Sequence, residues 1–254
     1  MGDPLLHVEN VTVSFDGFKA LDNVSLLVMP TTVQIVIGPN GAGKSTLMDT
    51  IIGRVRPVSG RVMFKGADMT KLPEYEVVRR GICRKFQTPG ILSTLTTEEN
   101  LIIAAKRSRG WLSTLRRSIS RTEQTRVDEI LSLIGLREKR RMLAGHLAHG
   151  AKQWLEIGMV VASDGDLLLL DEPAAGMTHQ ERAKTADLIR SLAAHHAFIV
   201  IDHDMDFVEQ LAAPVSVLHM GRMLKQGTIE EVRNDPQVKS VYLGRVEESE
   251  IAYA

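Results

Sequence analysis

Nine consecutive residues carry the clearest chemistry in this 254-residue chain: Gly38, Pro39, Asn40, Gly41, Ala42, Gly43, Lys44, Ser45 and Thr46. They fill every fixed position of G-x-x-x-x-G-K-[ST], a pattern that cradles phosphate. Glycine reaches backbone angles closed to other residues, so successive N–H groups can turn inward onto phosphate oxygens. A helix starting at the end of such a loop aims the positive end of its dipole at the same anion. Lys44 adds a flexible point charge for the β- and γ-phosphates of a bound nucleotide, and Ser45 a hydroxyl oxygen for Mg²⁺. The bland alternative is a glycine-rich turn with an incidental lysine. Against it stand the β-branched VQIVI just before and the helix-period STLMDTIIG just after. Strand, loop and helix are the context this pattern needs.

A second group of polar residues sits at the ends of apolar runs. LLLLDEP, at 167–173, reads as a buried strand that delivers Asp171 and Glu172. An aspartate there can hold Mg²⁺, and the next carboxylate can orient and deprotonate an attacking water. The alternative is an acidic helix cap; the complete phosphate loop upstream favours metal and base. AFIVIDHD repeats the arrangement and ends on Asp202, His203 and Asp204. His203 is placed to touch the γ-phosphate or the water, whereas Asp202 and Asp204 read as solvated or capping. Gln87 closes GICRKFQ, and its amide can reach Mg²⁺ or water.

The elements that must hold these residues follow from periodicity. Strand-like runs LLHVENVTVSF, LDNVSLLV and TVQIVI fill 5–37, and RVMFKG and GICRKFQ follow the first helix. From 88 to about 163 the pattern is helical: TTEENLIIAAKR, RTEQTRVDEILSLIGL and AKQWLEIGMVVA. Strands then resume with DLLLLDE, AFIVIDH and APVSVLHM, separated by helical stretches at 178–194 and 204–212, and MLKQGT reads as an edge strand. Alternation of this kind implies a parallel sheet flanked by helices. The expected fold is α/β with a helical insertion; the family resemblance of its motifs, described below, implies a P-loop NTPase (RecA-like) core with an antiparallel β subdomain and an inserted α-helical subdomain. One domain spans 1–254: core at 1–87 and 164–243, helical unit at 88–163, flexible tail at 244–254.

Bulk composition narrows the function. Lys plus Arg equals Asp plus Glu at 31 each, and no aromatic platform accompanies the basic residues, so nucleic acid is not an expected partner. The single cysteine, Cys83, fits a reducing compartment and reads as a small buried hydrophobe. No secretory leader or membrane-length apolar run is visible. Residues 100–145 are strongly basic, and GWLSTLRRSIS sets Trp111, Leu112, Leu115 and Ile119 beside Arg116 and Arg117. A headgroup- or membrane-subunit-facing surface and a solvated loop fit the 106–121 segment equally well.

These motifs, in this order, resemble the nucleotide-binding subunit of ABC transporters over residues 5–243. The phrases VSFDGFKAL, KQWLEIGM and DEPAAGMT resemble the ATPases of branched-chain-amino-acid-type importers, most of all the urea-importer branch. The resemblance implies that Phe15 stacks on adenine, with Phe18 as rival and a core role as the alternative. It implies phosphate and Mg²⁺ binding by Lys44, Ser45 and Thr46, with Gln87 and Asp171 toward the metal. Glu172 would be the base, His203 the γ-phosphate switch, and Gln87 the relay to a transmembrane permease. It also implies a head-to-tail dimer in which a signature loop of one subunit covers ATP on the other.

That signature departs from the family's L-S-G-G-Q. Ala148 replaces the serine, His149 the first glycine and Ala151 the glutamine, while Gly150 is kept. Loss of the serine hydroxyl removes a phosphate hydrogen bond of about 1.5–3 kcal/mol. Thr178 also stands near the place of an aspartate that crosses the dimer interface. The implied assembly is therefore a non-identical ATPase pair with one strong and one weak site. It would lie peripherally on the cytoplasmic face of the inner membrane and meet a solute-binding protein only indirectly. Urea or a short-chain amide is the expected cargo, branched-chain amino acids the alternative. A soluble non-transport ABC ATPase is the reading from another class, disfavoured by a single P-loop and the lack of a long coiled coil.

Overall fold

The computed structural model describes residues 2–84, 90–107 and 120–241. Gln87, the 108–119 part of the basic segment and the tail from 242 lie outside these described residues.

The first sheet is antiparallel. Strands β1 (Leu6–Phe15) and β2 (Phe18–Val28) form a hairpin, joined by β4 (Ser59–Phe64) and β5 (Ala67–Asp68) in the order β2-β1-β4-β5. The hairpin turns on Asp16 and Gly17, both at positive φ (48° and 90°), the geometry that matches the strands' own twist. Phe15 and Phe18 face each other across it.

The second sheet orders its strands β10-β9-β3-β8-β7-β6: β3 (Val33–Ile37), β6 (Ile82–Arg84), β7 (Leu167–Asp171), β8 (Ala197–Ile201), β9 (Val215–His219) and β10 (Arg222–Gly227). All pairs are parallel except β9 with β10, which close through a tight turn at Met220–Gly221. Burial on both faces explains the unbroken apolar runs of the inner strands. Side chains alternate between two cores. Leu167, Leu169, Ile199 and Ile201 pack with Leu47, Met48 and Ile51 of helix α1 (Lys44–Ile51) and with the first sheet. Leu168, Leu170, Phe198 and Val200 pack with the other helices.

Between β6 and β7 the described residues hold helices and one isolated bridge, Thr96 with Leu143. The short α2 (Glu74–Arg79) precedes β6; α3 (Thr97–Arg107), α4 (Arg121–Leu133) and α5 (His149–Ala162) follow it. Helices α6 (His179–Leu192), α7 (Met205–Leu211) and α8 (Ile229–Asn234) complete the chain order. Several helices start on reciprocal caps, each satisfying two otherwise orphaned N–H groups: Ser120 with Glu123, Thr178 with Glu181 and Thr228 with Glu231. Thr96 and Glu99 make the same exchange ahead of α3. Helix α5 lacks one: its N-cap is Ala148, with no side-chain bond.

The α/β cassette expectation holds. Among the described strands and α-helices, two escaped the sequence reading, the two-residue β5 and the six-residue α8.

Candidate functional site

Strand order places the chemistry. Adjacent parallel strands β3, β8, β7 and β6 end on the same side of the sheet, where ligands bind in such folds. They carry respectively the 38–46 loop, Asp202–His203, Asp171–Glu172 and Arg84.

The loop has no room for side chains at two of its glycines. A Cβ on Gly43 (φ +104°) would lie 2.6 Å from Ala20 O of β2, and one on Gly38 would overlap Leu218 O. Gly221 N–H donates to Ala42 O (2.9 Å), and Asp22 N–H to Gly221 O (2.7 Å), so the loop is tied to both sheets. This brings the β1–β2 hairpin beside the loop. Phe15 and Phe18 are both exposed, 49% and 71%, so neither is a core aromatic. Lys44 Nζ donates to Gly38 O (2.6 Å) and Pro39 O (3.0 Å) at the start of the loop.

Asp171 points to the α1 side, by the same alternation that directs Leu167 and Leu169 there. Its Oδ2 accepts from Arg84 (3.2 Å), whose other nitrogen donates to Asp49 of α1 at 2.5 Å. Burial raises the Asp171 carboxyl above its ordinary range; the Arg84 cation opposes this, Glu172 adds to it and Lys44 reduces it. Arg84 was not foreseen as a site residue. Its signal was parity: a cation two residues after buried Ile82 on an inner-facing strand position.

Glu172 turns the chain. Its φ is +44°, a left-handed conformation that costs a non-glycine residue about 1–3 kcal/mol. Its N–H donates to Ile201 O (2.8 Å) and its C=O accepts from Ala175 N–H (3.2 Å). No helix starts here; Thr178 caps the next one. Glu172 Oε1 lies 3.1 Å from His203 Nδ1, with both side chains about half exposed or more (47% and 66%).

Asp204 caps α7, as expected. Asp202 corrects the reading of a solvated residue: its side chain is 3% exposed, and its Oδ1 accepts from the N–H groups of His203 (2.8 Å) and Asp204 (3.1 Å). Burial pushes its carboxyl up to about 6. At the start of α5, Ala148 and His149 are exposed, whereas Gly150 is buried and Ala151, at 4% exposure, packs into the core.

The ABC transporter family matches residues 21–175, more than half of the chain. The chain belongs to the ABC transporter family. Its ATPase relatives include the high-affinity branched-chain amino acid transport ATP-binding protein LivG of Escherichia coli, 34% identical over 96% of this chain and 99% of the relative. The high-affinity branched-chain amino acid transport ATP-binding protein BraF of Pseudomonas aeruginosa is 33% identical over 96% of this chain and 99% of the relative. The ADP conformation of MJ1267, an ATP-binding cassette of an ABC transporter, superposes with a TM-score of 0.86 at 31% identity, covering 96% of this chain and all (100%) of that one. As an ABC ATPase, this chain binds and hydrolyses nucleotide. These relatives are named for branched-chain amino acid transport, the cargo given above as the alternative; a urea role is not shown. No helix among the described residues is long and apolar enough to cross a membrane.

Proposed function

We propose that this ABC ATPase powers uptake of branched-chain amino acids through a membrane permease, from a peripheral position on the cytoplasmic side. The end-to-end similarity to LivG carries this reading.

ATP is the substrate. The 38–46 loop wraps its phosphates with backbone N–H groups, and Lys44 transfers its hydrogen bonds from Gly38 O and Pro39 O to phosphate oxygens. Phe15, at the hairpin tip beside the loop, stacks on adenine. The donor set fits Mg²⁺, a hard cation that takes one or two carboxylates plus phosphate oxygens and water. Ser45, Asp171 and Gln87 would hold it, and bound there it would neutralise charge building on the phosphates. Glu172 orients and deprotonates the attacking water. His203, 3.1 Å from Glu172, fixes that carboxylate through Nδ1–H and leaves Nε2 for the water or, when protonated, for the γ-phosphate.

A second, non-identical ATPase subunit completes each site in a head-to-tail dimer. The helices Thr97–Arg107, Arg121–Leu133 and His149–Ala162 belong to the unit that meets the permease, and Gln87 relays nucleotide state to it. Loss of the signature serine at Ala148 makes the site this loop covers the weaker one.

Uptake of labelled leucine and labelled urea, in cells lacking the gene and in cells complemented with it, tests the cargo. Restored leucine uptake with unaffected urea uptake is the expected result. Restored urea uptake alone would overturn it.

A further inference from the structure

His149 stands where the family has a glycine, and it is not idle. Its Nε2 lies 2.9 Å from Ala175 O, a backbone acceptor, so that nitrogen carries the proton. Ala175 in turn donates its N–H to the C=O of Glu172 at 3.2 Å. One residue thus connects the first turn of α5 to the left-handed turn that sets Glu172. The surroundings are shaped to admit the ring. Gly176 (φ +71°) faces it, and a Cβ there would lie 2.9 Å from Nε2. Beside it, buried Gly150 lies against the Glu181 carboxylate, which closes the cap of α6 on Thr178 (2.8 Å to the hydroxyl). A glycine at 149 would remove this side-chain bond between the two loops, at a helix start whose N-cap, Ala148, makes no side-chain bond either.

We propose that His149 is a positioning residue that locks the start of α5 to the 172–178 turn of its own chain, so that the signature loop and Glu172 move as one unit. This rests on Glu172 being the base and on the signature loop covering ATP held by the other subunit. Under that arrangement, His149 joins a surface serving one ATP to a residue serving the other. It restores mechanically some of the communication that Thr178, in place of an aspartate, does not supply.

The test compares ATP hydrolysis by His149→Gly, His149→Ala and His149→Gln with wild type and Glu172→Gln in the assembled transporter. Removing a neutral hydrogen bond predicts that His149→Gly and His149→Ala lower kcat about three- to tenfold, with the KM for ATP within about twofold. Glutamine keeps an N–H donor at similar reach and is expected to restore kcat to within about twofold. Wild-type kcat in His149→Ala overturns the proposal, as does a glutamine variant as slow as alanine or an effect confined to KM. His149→Ala carries the test if the glycine variant fails to fold. Full activity in Glu172→Gln would instead remove the assignment of the base, a separate failure.

Discussion

Asp202→Asn should make this protein more stable, and the gain should depend on pH. The carboxyl is 3% exposed at the end of β8, and burial outweighs the favourable N–H groups of His203 and Ala174 and the charge of His203. It titrates at about 6 in the fold, against an ordinary 3.8 that the unfolded chain retains. Between those values the folded protein binds more protons than the unfolded chain, so stability falls as pH rises through that window. Above it the full difference applies, about 3 kcal/mol at most. Asparagine keeps the Oδ1 acceptor for His203 and Asp204 and removes the charge. The expected gain approaches about 3 kcal/mol at pH 7.5 and about half that at pH 5. Urea unfolding of wild type and variant at the two pH values measures it, with m-values checked for two-state behaviour. An equal gain at both pH values, or a loss at pH 7.5, would refute the account of a buried, destabilising carboxylate.

Other variants probe the supporting structure. Arg84→Met removes a cation that is 6% exposed and paired to both Asp49 and Asp171; urea unfolding should show a loss of about 3–5 kcal/mol, because the buried Asp171 carboxylate, 7% exposed, loses its counter-charge. An unchanged midpoint would mean the bridge contributes nothing. Ala148→Ser gives α5 the side-chain cap it lacks and should add about 0.5–2 kcal/mol of stability in the same assay. For the hairpin, Phe15→Ala should weaken ATP binding by about 1–3 kcal/mol, as measured by titration, without weakening inorganic triphosphate, and Phe18→Ala should not. The reverse outcome would move the adenine wall to Phe18.

The sequence disclosed what lies within a few residues of itself. The 38–46 loop is legible because one backbone stretch does the work, and its geometry demands fixed residue types. Strands β7 and β8 are legible because burial on both faces requires unbroken apolar runs, and their ends mark Asp171 and His203. Cap pairs three residues apart announce helix starts, although Thr228 and Glu231 did so unheeded for α8. What stayed hidden depends on long-range pairing. Arg84 meets Asp171 and Asp49 across separations of 87 and 35 residues, set by the β6–β7 pairing and by the packing of α1 against the sheet. Asp202 looked solvated because its burial, and the Ala174 N–H that reaches its carboxyl, depend on chain far away in sequence. His149 read only as a departure from the signature glycine, since its partner at Ala175 is a backbone carbonyl that no side-chain pattern encodes.

ATP turnover by wild type and Glu172→Gln, in the purified transporter complex, tests the central claim most directly. Wild type should release phosphate steadily, while Glu172→Gln should still bind ATP and turn over at least about a hundredfold more slowly. A Glu172→Gln variant that hydrolyses ATP at the wild-type rate, or a wild-type complex that binds ATP without releasing phosphate, would contradict it.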